Sequence, residues 1–244
     1  MHKQHGLSII EMMVALLISS FLIIGITQVY LDNRENTLFQ QSQGQNIDNA
    51  RFSILLLEQT LAKTGYRRAP DETMEVAFPR EVIGACGEMK AGQVVKRLDA
   101  TSFCIRYQPA FPEARDCAGE NIDNIPGPYI SADPVTEVFG LADGNLTCGR
   151  AGRPSQAIAS DIAELSFVYG VNSSEEKQVS KYDPAPNADD NIRAVRFSVL
   201  TASPTEVAST PGSAAYTFWF GDDPEEKRLY TMLSSSTSMR NLMP

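Results

Sequence analysis

Residues 7–31 read LSIIEMMVALLISSFLIIGITQVYL, the longest apolar stretch in a chain of 244 residues. Within it, every residue from 12 to 26 is apolar except Ser19, Ser20 and Gly25. An apolar helix of about 20 residues is long enough to cross the hydrocarbon core of a bilayer. We therefore predict a membrane-spanning helix over residues 7–31, which holds the rest of the chain at the membrane.

Two simpler interpretations of this stretch are a secretory signal peptide and a plain single-pass anchor. A signal peptide ends in a small-residue cleavage site of the A-x-A kind, and nothing like it follows the apolar run. Neither interpretation explains Glu11, a carboxylate just inside the run. A charge at mid-membrane costs roughly 2.5–3.5 kcal/mol, and less near the edge, so an ionisable residue here indicates a function.

Glu11 needs a positively charged partner, and its own helix offers no cation nearby. Cleavage of the chain after Gly6 would make Leu7 the new N-terminus and Glu11 the fifth residue. The α-amino group created by this cleavage, on a neighbouring subunit, is the available partner. We therefore expect Glu11 to have no partner in its own chain and to act in subunit assembly.

The sequence GLSIIE at residues 6–11 resembles the class III signal of type IV prepilins. In that family a leader peptidase cuts after the glycine, and the new N-terminus is methylated. The resemblance implies cleavage between Gly6 and Leu7, methylation of Leu7, and a leader at residues 1–6. Two features depart from the family: leucine replaces the usual phenylalanine at the new N-terminus, and the leader carries a single lysine, Lys3.

The apolar run continues into a second helical segment, since no proline occurs before Pro70. Apolar residues there recur at spacings of three and four, which is typical of an amphipathic helix face. These residues are Ile47, Ala50, Ile54, Leu57 and Leu61. Gly65 predicts the helix end. One helix from Leu7 to Thr64 would be about 87 Å long at 1.5 Å per residue. Its amphipathic part, residues 32–66, should pack on the domain that follows.

Beyond Pro70, runs rich in β-branched and aromatic residues alternate with turn residues, as in a β-rich domain. The candidate strands are Thr101–Gln108, Thr136–Leu141, Leu146–Cys148, Ile162–Val171, Ile192–Ala202 and Tyr216–Phe220. The sequence Asp143-Gly144-Asn145 predicts a turn between the second and third strands. The polar segments 173–191 and 203–213 are predicted to be surface loops.

The predicted fold class is therefore α+β. A long N-terminal helix, transmembrane in its first half, packs on a mostly antiparallel β-sheet domain at residues 67–244. Trp219 is expected in the core or against the helix, rather than in a ligand platform.

All four cysteines lie beyond the membrane segment. An even number of cysteines outside the membrane favours two disulfides over unpaired buried thiols, and the lack of a CxxC pair disfavours metal ligation. We expect Cys117 to pair with Cys148, because they bracket a β segment with its Asp143-Gly144 turn. The second pair is then Cys86 with Cys104.

Further stretches resemble the PilW family of minor pilins. They are RF at 51–52, KTGYR at 63–67, IAELSFVYG at 162–170, IRAVRFSVL at 192–200, KRLY at 227–230 and SMRN at 238–241. The resemblance implies a pilin-like fold and a structural subunit near the pilus tip that primes assembly and supports motility and adhesion. A J-type pseudopilin of a type II secretion system is the alternative within this class. A membrane-tethered binding module that never polymerises is the alternative outside it, and it would need neither Gly6 nor Glu11.

The resemblance also implies partners and a location. The partners are other minor pilins, the major pilin, the prepilin peptidase, the inner-membrane assembly platform and a tip adhesin. The chain would cross the inner membrane once, with its C-terminal domain in the periplasm, and then join the pilus at the cell surface. The net charge of −9, without a cluster of Lys and Arg, argues against nucleic acid as a partner.

The sequence shows no catalytic constellation. Both histidines, His2 and His5, lie in the predicted leader, so the mature chain would lack histidine for catalysis or metal binding. No phosphate-binding glycine motif is present. The acid-rich stretch with Asp183, Asp189 and Asp190 lacks the spacing of a calcium loop, and a linker explains it better. We predict no enzymatic activity, no cofactor and no metal.

Overall fold

The computed structural model describes residues 8–172, 178–207 and 212–242. Helix α1 (Ile9–Lys63) has 55 residues, which corresponds to about 80 Å at 1.5 Å per residue. Thr64 is its C-cap, and Gly65 follows with a φ of 73°, the left-handed conformation that the sequence predicts for a helix-ending glycine. The start predicted at Leu7 lies outside the described residues.

The buried face of α1 is more polar than the sequence pattern predicts. The buried residues are Ser42, Asn46, Ala50, Ser53, Leu57, Thr60 and Leu61. Ile47 and Ile54, which the prediction placed on this face, are only half-buried. The Asn46 side-chain amide donates to the Leu229 carbonyl at 2.9 Å, and this hydrogen bond makes burial of the amide group tolerable.

The globular part contains three sheets, and all strand pairs formed by the described residues are antiparallel. The first is the hairpin of β1 (Glu81–Ile83) and β2 (Gly87–Met89). The second has, in spatial order, β3 (Val95–Arg97), β4 (Phe103–Tyr107), β5 (Val135–Ala142), β6 (Asn145–Arg150) and β7 (Gln156–Ala159). The third has the order β11 (Tyr230–Ser238), β10 (Asn191–Ala202), β8 (Ile162–Asn172) and β9 (Lys181–Asp183). Two short α-helices, α2 (Met74–Ala77) and α3 (Ala214–Phe220), and two 3-10 helices, Gly84–Cys86 and Arg240–Leu242, complete the elements among the described residues.

One hydrophobic core joins α1 to the two larger sheets. Phe103 of β4 stacks on Phe139 of β5 with ring centroids 5.5 Å apart, and it meets Phe167 of β8 edge-on at 4.8 Å. Leu57 and Leu61 close this core from the helix side. The structure therefore confirms the predicted class, a long N-terminal helix packed on an antiparallel β domain.

Strand β11 runs alongside α1. Thr231 accepts a hydrogen bond from Asn46, and Ser235, further along the strand, bonds to Glu58, further along the helix. Past the strand end, the Asn241 amide donates to the carbonyl of Thr64 at 3.0 Å. The contacts advance in the same direction along both elements, so helix and strand are roughly parallel.

The turn predicted at Asp143-Gly144-Asn145 is confirmed. Asp143 and Gly144 have φ values of 50° and 71°, and Ala142 pairs with Asn145 across the hairpin. Two central residues with positive φ form the tight turn that best matches the twist of paired strands.

The strand predicted at Tyr216–Phe220 is wrong, because this segment lies in helix α3. Ser213 caps the helix by accepting a hydrogen bond from the backbone N–H of Tyr216 at 3.3 Å, and Gly221 ends it at a φ of 85°. The rings of Tyr216 and Phe220, four residues apart, pack at 4.5 Å. Capping at both ends and this ring pair outweigh the strand propensity of aromatic residues. Trp219 within α3 is half-buried.

Six strands, β1, β2, β3, β7, β9 and β11, occur where the sequence predicted none. Strand β9 lies inside the segment 173–191, which was predicted to be a surface loop; residues 173–177 of that segment are outside the described range. Strand β11 was missed because its second half reads SSSTS, a composition typical of loops. It pairs with β10 over its whole length, from Tyr230 opposite Ala202 to Ser238 opposite Ala194.

Candidate functional site

The first half of α1 is bare. Every side chain from Ser8 to Gln41 is exposed, including those of the most apolar part of the helix. By length and composition, α1 is the one helix among the described residues that could cross a membrane. An apolar surface on all sides of a helix requires lipid or other apolar helices around it.

Glu11 lies in the first turn of α1. Its Oε2 accepts a hydrogen bond from the Ser8 backbone N–H at 2.9 Å, as in a helix capping box. The expectation that Glu11 has no partner in its own chain is therefore wrong. The partner is a neutral amide, however, and a carboxylate can accept about four hydrogen bonds. Glu11 thus retains acceptor capacity for a second, charged donor.

The predicted cleavage site, Gly6 and Leu7, lies outside the described residues. Cleavage after Gly6 and methylation of Leu7 stay predictions. Ser8, the N-cap of α1, is the first described residue and would be the second residue of a cleaved chain.

The structure contains two disulfides, Cys86–Cys104 and Cys117–Cys148, between the same pairs that the sequence analysis expects. The first joins the β1–β2 hairpin region to β4, where both cysteines and Met89 form a small separate core. The second joins the connection after β4 to β6. Both therefore hold irregular segments against the five-stranded sheet.

We expect a non-reducing peptide map to recover these two pairs and no others. The bridges close segments of 18 and 31 residues, so each should contribute about 3–4 kcal/mol to the free energy of unfolding in the chain-entropy model. Denaturation of the protein with one pair replaced by serine, Cys86/Cys104 or Cys117/Cys148, measures each contribution against wild type. Recovery of a crossed pair such as Cys104–Cys117 would contradict the assignment.

Glu137 lies at the centre of a buried polar cluster that fixes the end of α1. Its Oε1 accepts hydrogen bonds from the Tyr107 hydroxyl at 2.7 Å and from the Cys117 backbone N–H at 2.9 Å. Lys63, in the last turn of α1, lies 2.8 Å from Oε2 and 4.2 Å from the centroid of the Tyr107 ring. Burial, reinforced by the Glu137 charge, raises the pKa of Tyr107 well above its usual value, so its hydroxyl remains a donor. The cluster links helix, sheet and disulfide.

Arg68, just past α1, organises the long connection between β4 and β5. The residue is buried, and its guanidinium donates to five backbone carbonyls, those of Pro109, Ala110, Pro126, Gly127 and Ile130, at 2.8–3.2 Å. A guanidinium carries five N–H donors in a rigid fork, which suits this set of acceptors. Arg68 thus substitutes for the regular backbone pairing that this connection lacks.

Neither cluster resembles a catalytic or metal centre. Cys117, Glu137 and Cys148 have potential ligand atoms within 4.8 Å of one another, but both sulfurs are bonded in the disulfide and cannot act as thiolates. In the acid-rich stretch, Asp183 pairs with Lys181 at 2.9 Å, and Asp190 accepts from the Asn187 backbone N–H at 2.9 Å. Both carboxylates are thus engaged in local contacts at the protein surface.

The sequence analysis missed the roles of Glu137 and Arg68. Glu137 sits in a strand whose neighbours on both sides are β-branched, and Arg68 follows another arginine, so neither has a distinctive pattern. Lone buried charges are found only through the partners that the fold brings to them.

Two protein-family models match the chain. Type IV Pilus-assembly protein W matches residues 123–241, and the prokaryotic N-terminal methylation motif matches residues 1–27. Among solved structures, the chain is similar to a type IV-like pilin from Thermus thermophilus, with a TM-score of 0.45 and 13% identity over 80% of this chain and 97% of that chain. No curated protein matches the chain.

Proposed function

We propose that the protein is a minor pilin, because it carries a PilW domain and the N-terminal methylation motif of type IV pilins. The domain and the motif support a pilus-related structural subunit. The finer proposal is that this subunit helps to prime pilus assembly near the tip and supports motility and adhesion.

The observation that carries the proposal is the bare first half of α1 with Glu11 at its start. A membrane span alone needs apolar surface, which lipid covers. The carboxylate adds a cost in the bilayer, whereas a plain anchor could cap the same helix with an uncharged glutamine. A helix that leaves the membrane and packs among similar helices recovers this cost, because a neighbouring α-amino group provides an opposite charge.

The proposed organisation follows from this. Residues 1–6 are a leader, residues 7–31 span the inner membrane and later the filament core, and residues 32–66 continue the helix onto the periplasmic domain at 67–244. The leader peptidase, the assembly platform, other minor pilins, the major pilin and a tip adhesin are the proposed partners. The chain needs no cofactor in this role and no catalytic residue.

We expect the protein, made together with its prepilin peptidase, to begin at N-methylated Leu7. Mass spectrometry of the intact protein measures this directly. A Gly6→Glu variant should keep its leader, because a carboxylate replaces the small residue at the cut. Gly44→Glu is the matched control: a side chain there meets no atom within 4 Å, and processing should be normal. A wild-type chain that keeps Met1 under these conditions would refute the pilin proposal.

A further inference from the structure

The connection between β4 and β5 lies at the C-terminal end of α1, opposite the bare half of that helix. The Gly65 N–H donates to the Arg106 carbonyl at 2.9 Å, and the Gln108 N–H donates to the Tyr66 carbonyl at 2.9 Å. These bonds attach the start of the connection to the chain just past α1. Arg68 then gathers residues 109–110 and 126–130 around its guanidinium. The two segments therefore lie side by side.

Apolar side chains of these two segments point into solvent. Phe111 is 57% exposed, Ile130 57% and Tyr129 83%, and the adjoining Pro112 and Pro128 are also exposed. We call these five residues the distal patch. Large apolar residues grouped on a surface, as opposed to scattered singly, mark an interaction site.

The backbone at Tyr129 strengthens this interpretation. Tyr129 has a φ of 60°, the left-handed conformation that bulky residues rarely adopt. The next residue, Ile130, accepts a hydrogen bond from the Arg68 Nε at 3.2 Å, which holds the segment in place. A strained backbone that keeps an aromatic ring in solvent is a feature that clusters at binding surfaces.

The surroundings of the patch are acidic. Glu113 directly follows the patch residue Pro112, and Asp123 and Asp133 lie close to Tyr129 and Ile130 in sequence; all three acids are exposed. The exposed cation of this connection, Arg115, donates to the Gly119 carbonyl at 2.8 Å. Pro109, whose carbonyl is bonded to Arg68, also lines a surface cavity of about 230 Å³ together with Glu81, Asp123 and Asp133. The one cation lining this cavity, Arg150, pairs with Asp116 at 3.1 Å. An apolar patch beside an acid-lined cavity complements an apolar surface that carries lysine or arginine.

We propose that the distal patch binds a second protein whose contact surface is apolar and presents a lysine or arginine side chain to the cavity lined by Glu81, Asp123 and Asp133. The inference rests on the proposed pilus role, in which this end faces away from the membrane and is free to contact a neighbouring subunit. A second copy of the chain fits poorly, since two such patches would oppose their acids. A bilayer fits poorly too, because the membrane span lies at the opposite end.

The test is photo-crosslinking in the native cells, with p-benzoylphenylalanine in place of Tyr129 in the full chain. We expect an adduct with one protein other than this chain, identified by mass spectrometry. The same probe in place of Phe218, which is 78% exposed on α3, is the matched control and should not give this adduct. Tyr129→Asn, which tolerates the backbone conformation, should weaken the adduct formed from a probe at Phe111.

Charge reversal decides whether the acidic cavity takes part. The double variant Asp123→Lys, Asp133→Lys should lower the adduct yield from position 129 at least fivefold, whereas Asp222→Lys, Glu225→Lys should leave it unchanged. Absence of an adduct, an adduct with the chain itself, or a yield insensitive to the first reversal would overturn the proposal.

Sheared pili from the same cells report the pilus role separately. Subunits that reach pili without crosslinking refute only the patch, and an adduct from chains that never reach pili refutes only the pilus role.

Discussion

Replacing Arg68 by methionine should lower the free energy of unfolding by about 3–5 kcal/mol, because a buried carbonyl left without its donor costs about 1–3 kcal/mol. Five carbonyls lose their donor at once. The loss is smaller than five separate penalties, because Ala110, Gly127 and Ile130 are exposed and their carbonyls can turn to water. Denaturant unfolding of the full chain in detergent, followed by circular dichroism, measures the effect.

Arg67→Met is the matched control for this experiment. Arg67 is the adjacent residue with the same side chain, but it donates a single hydrogen bond to the described backbone, to the Glu72 carbonyl. We expect it to cost about 1 kcal/mol, the typical net value of one hydrogen bond. Limited proteolysis at Arg115 should also accelerate in the Arg68 variant alone, because residues 109–134 lose their common support. Equal losses in both variants would show that Arg68 does not organise this connection.

Replacing Glu11 by alanine should reduce incorporation into pili at least tenfold while leaving membrane insertion intact or improved. Removing a carboxylate from an apolar helix lowers the cost of insertion. It also removes the acceptor for a neighbouring α-amino group, and opposite charges attract more strongly in a low dielectric. Desolvation of both groups offsets part of that attraction, so the larger effect should be on the register of docking. The measurement compares the protein in the membrane fraction with that in sheared pili.

Glu11→Gln separates the charge from the helix cap. A glutamine carbonyl can still accept the hydrogen bond that Glu11 takes from Ser8, because glutamine serves at this position of a capping box. We expect Glu11→Gln to lose incorporation nearly as much as Glu11→Ala. If glutamine supported assembly at the wild-type level, the cap would explain the residue, and pairing with an amine would not.

The parts of the fold that the sequence predicted correctly carry local signals. Helix α1 follows from an uninterrupted apolar and then periodic run that ends at Gly65, and the β5–β6 hairpin follows from an Asp-Gly turn. Strand β8 buries Phe167, Tyr169 and Val171, whose alternation with smaller or half-exposed residues is visible in the sequence. Such patterns depend on a few neighbouring residues, so they need no knowledge of the tertiary structure.

The parts that were missed depend on distant residues. Strand β11 is Ser- and Thr-rich because Thr231 and Ser235 bond to polar side chains of α1, whereas Ser234, Ser236 and Ser238 are exposed to solvent. The contact between Asn46 and Thr231 spans most of the chain. The ion pair of Glu137 with Lys63 and the hydrogen bond of Arg68 to the Pro126 carbonyl likewise join segments that are far apart in sequence. The motif at residues 6–11 predicted that Glu11 acts in subunit assembly. The hydrogen bond from Ser8 depends on where the helix begins, which the motif does not specify.

The parallel course of α1 and β11 determines how the subunit resists mechanical load. In the proposed pilus role, tension on the filament would pull each subunit along its helix axis. The contacts of Asn46 with Thr231, Glu58 with Ser235 and Thr64 with Asn241 are spread along that axis. An axial force therefore shears all of them together and does not peel them apart one after another. At the C-terminal end of the helix, the Lys63–Glu137 ion pair, 2.8 Å long and buried on the glutamate side, adds a contact that resists sliding of the helix out of the domain. The domain should thus stay attached to its helix at forces that would strip a helix held only at one end.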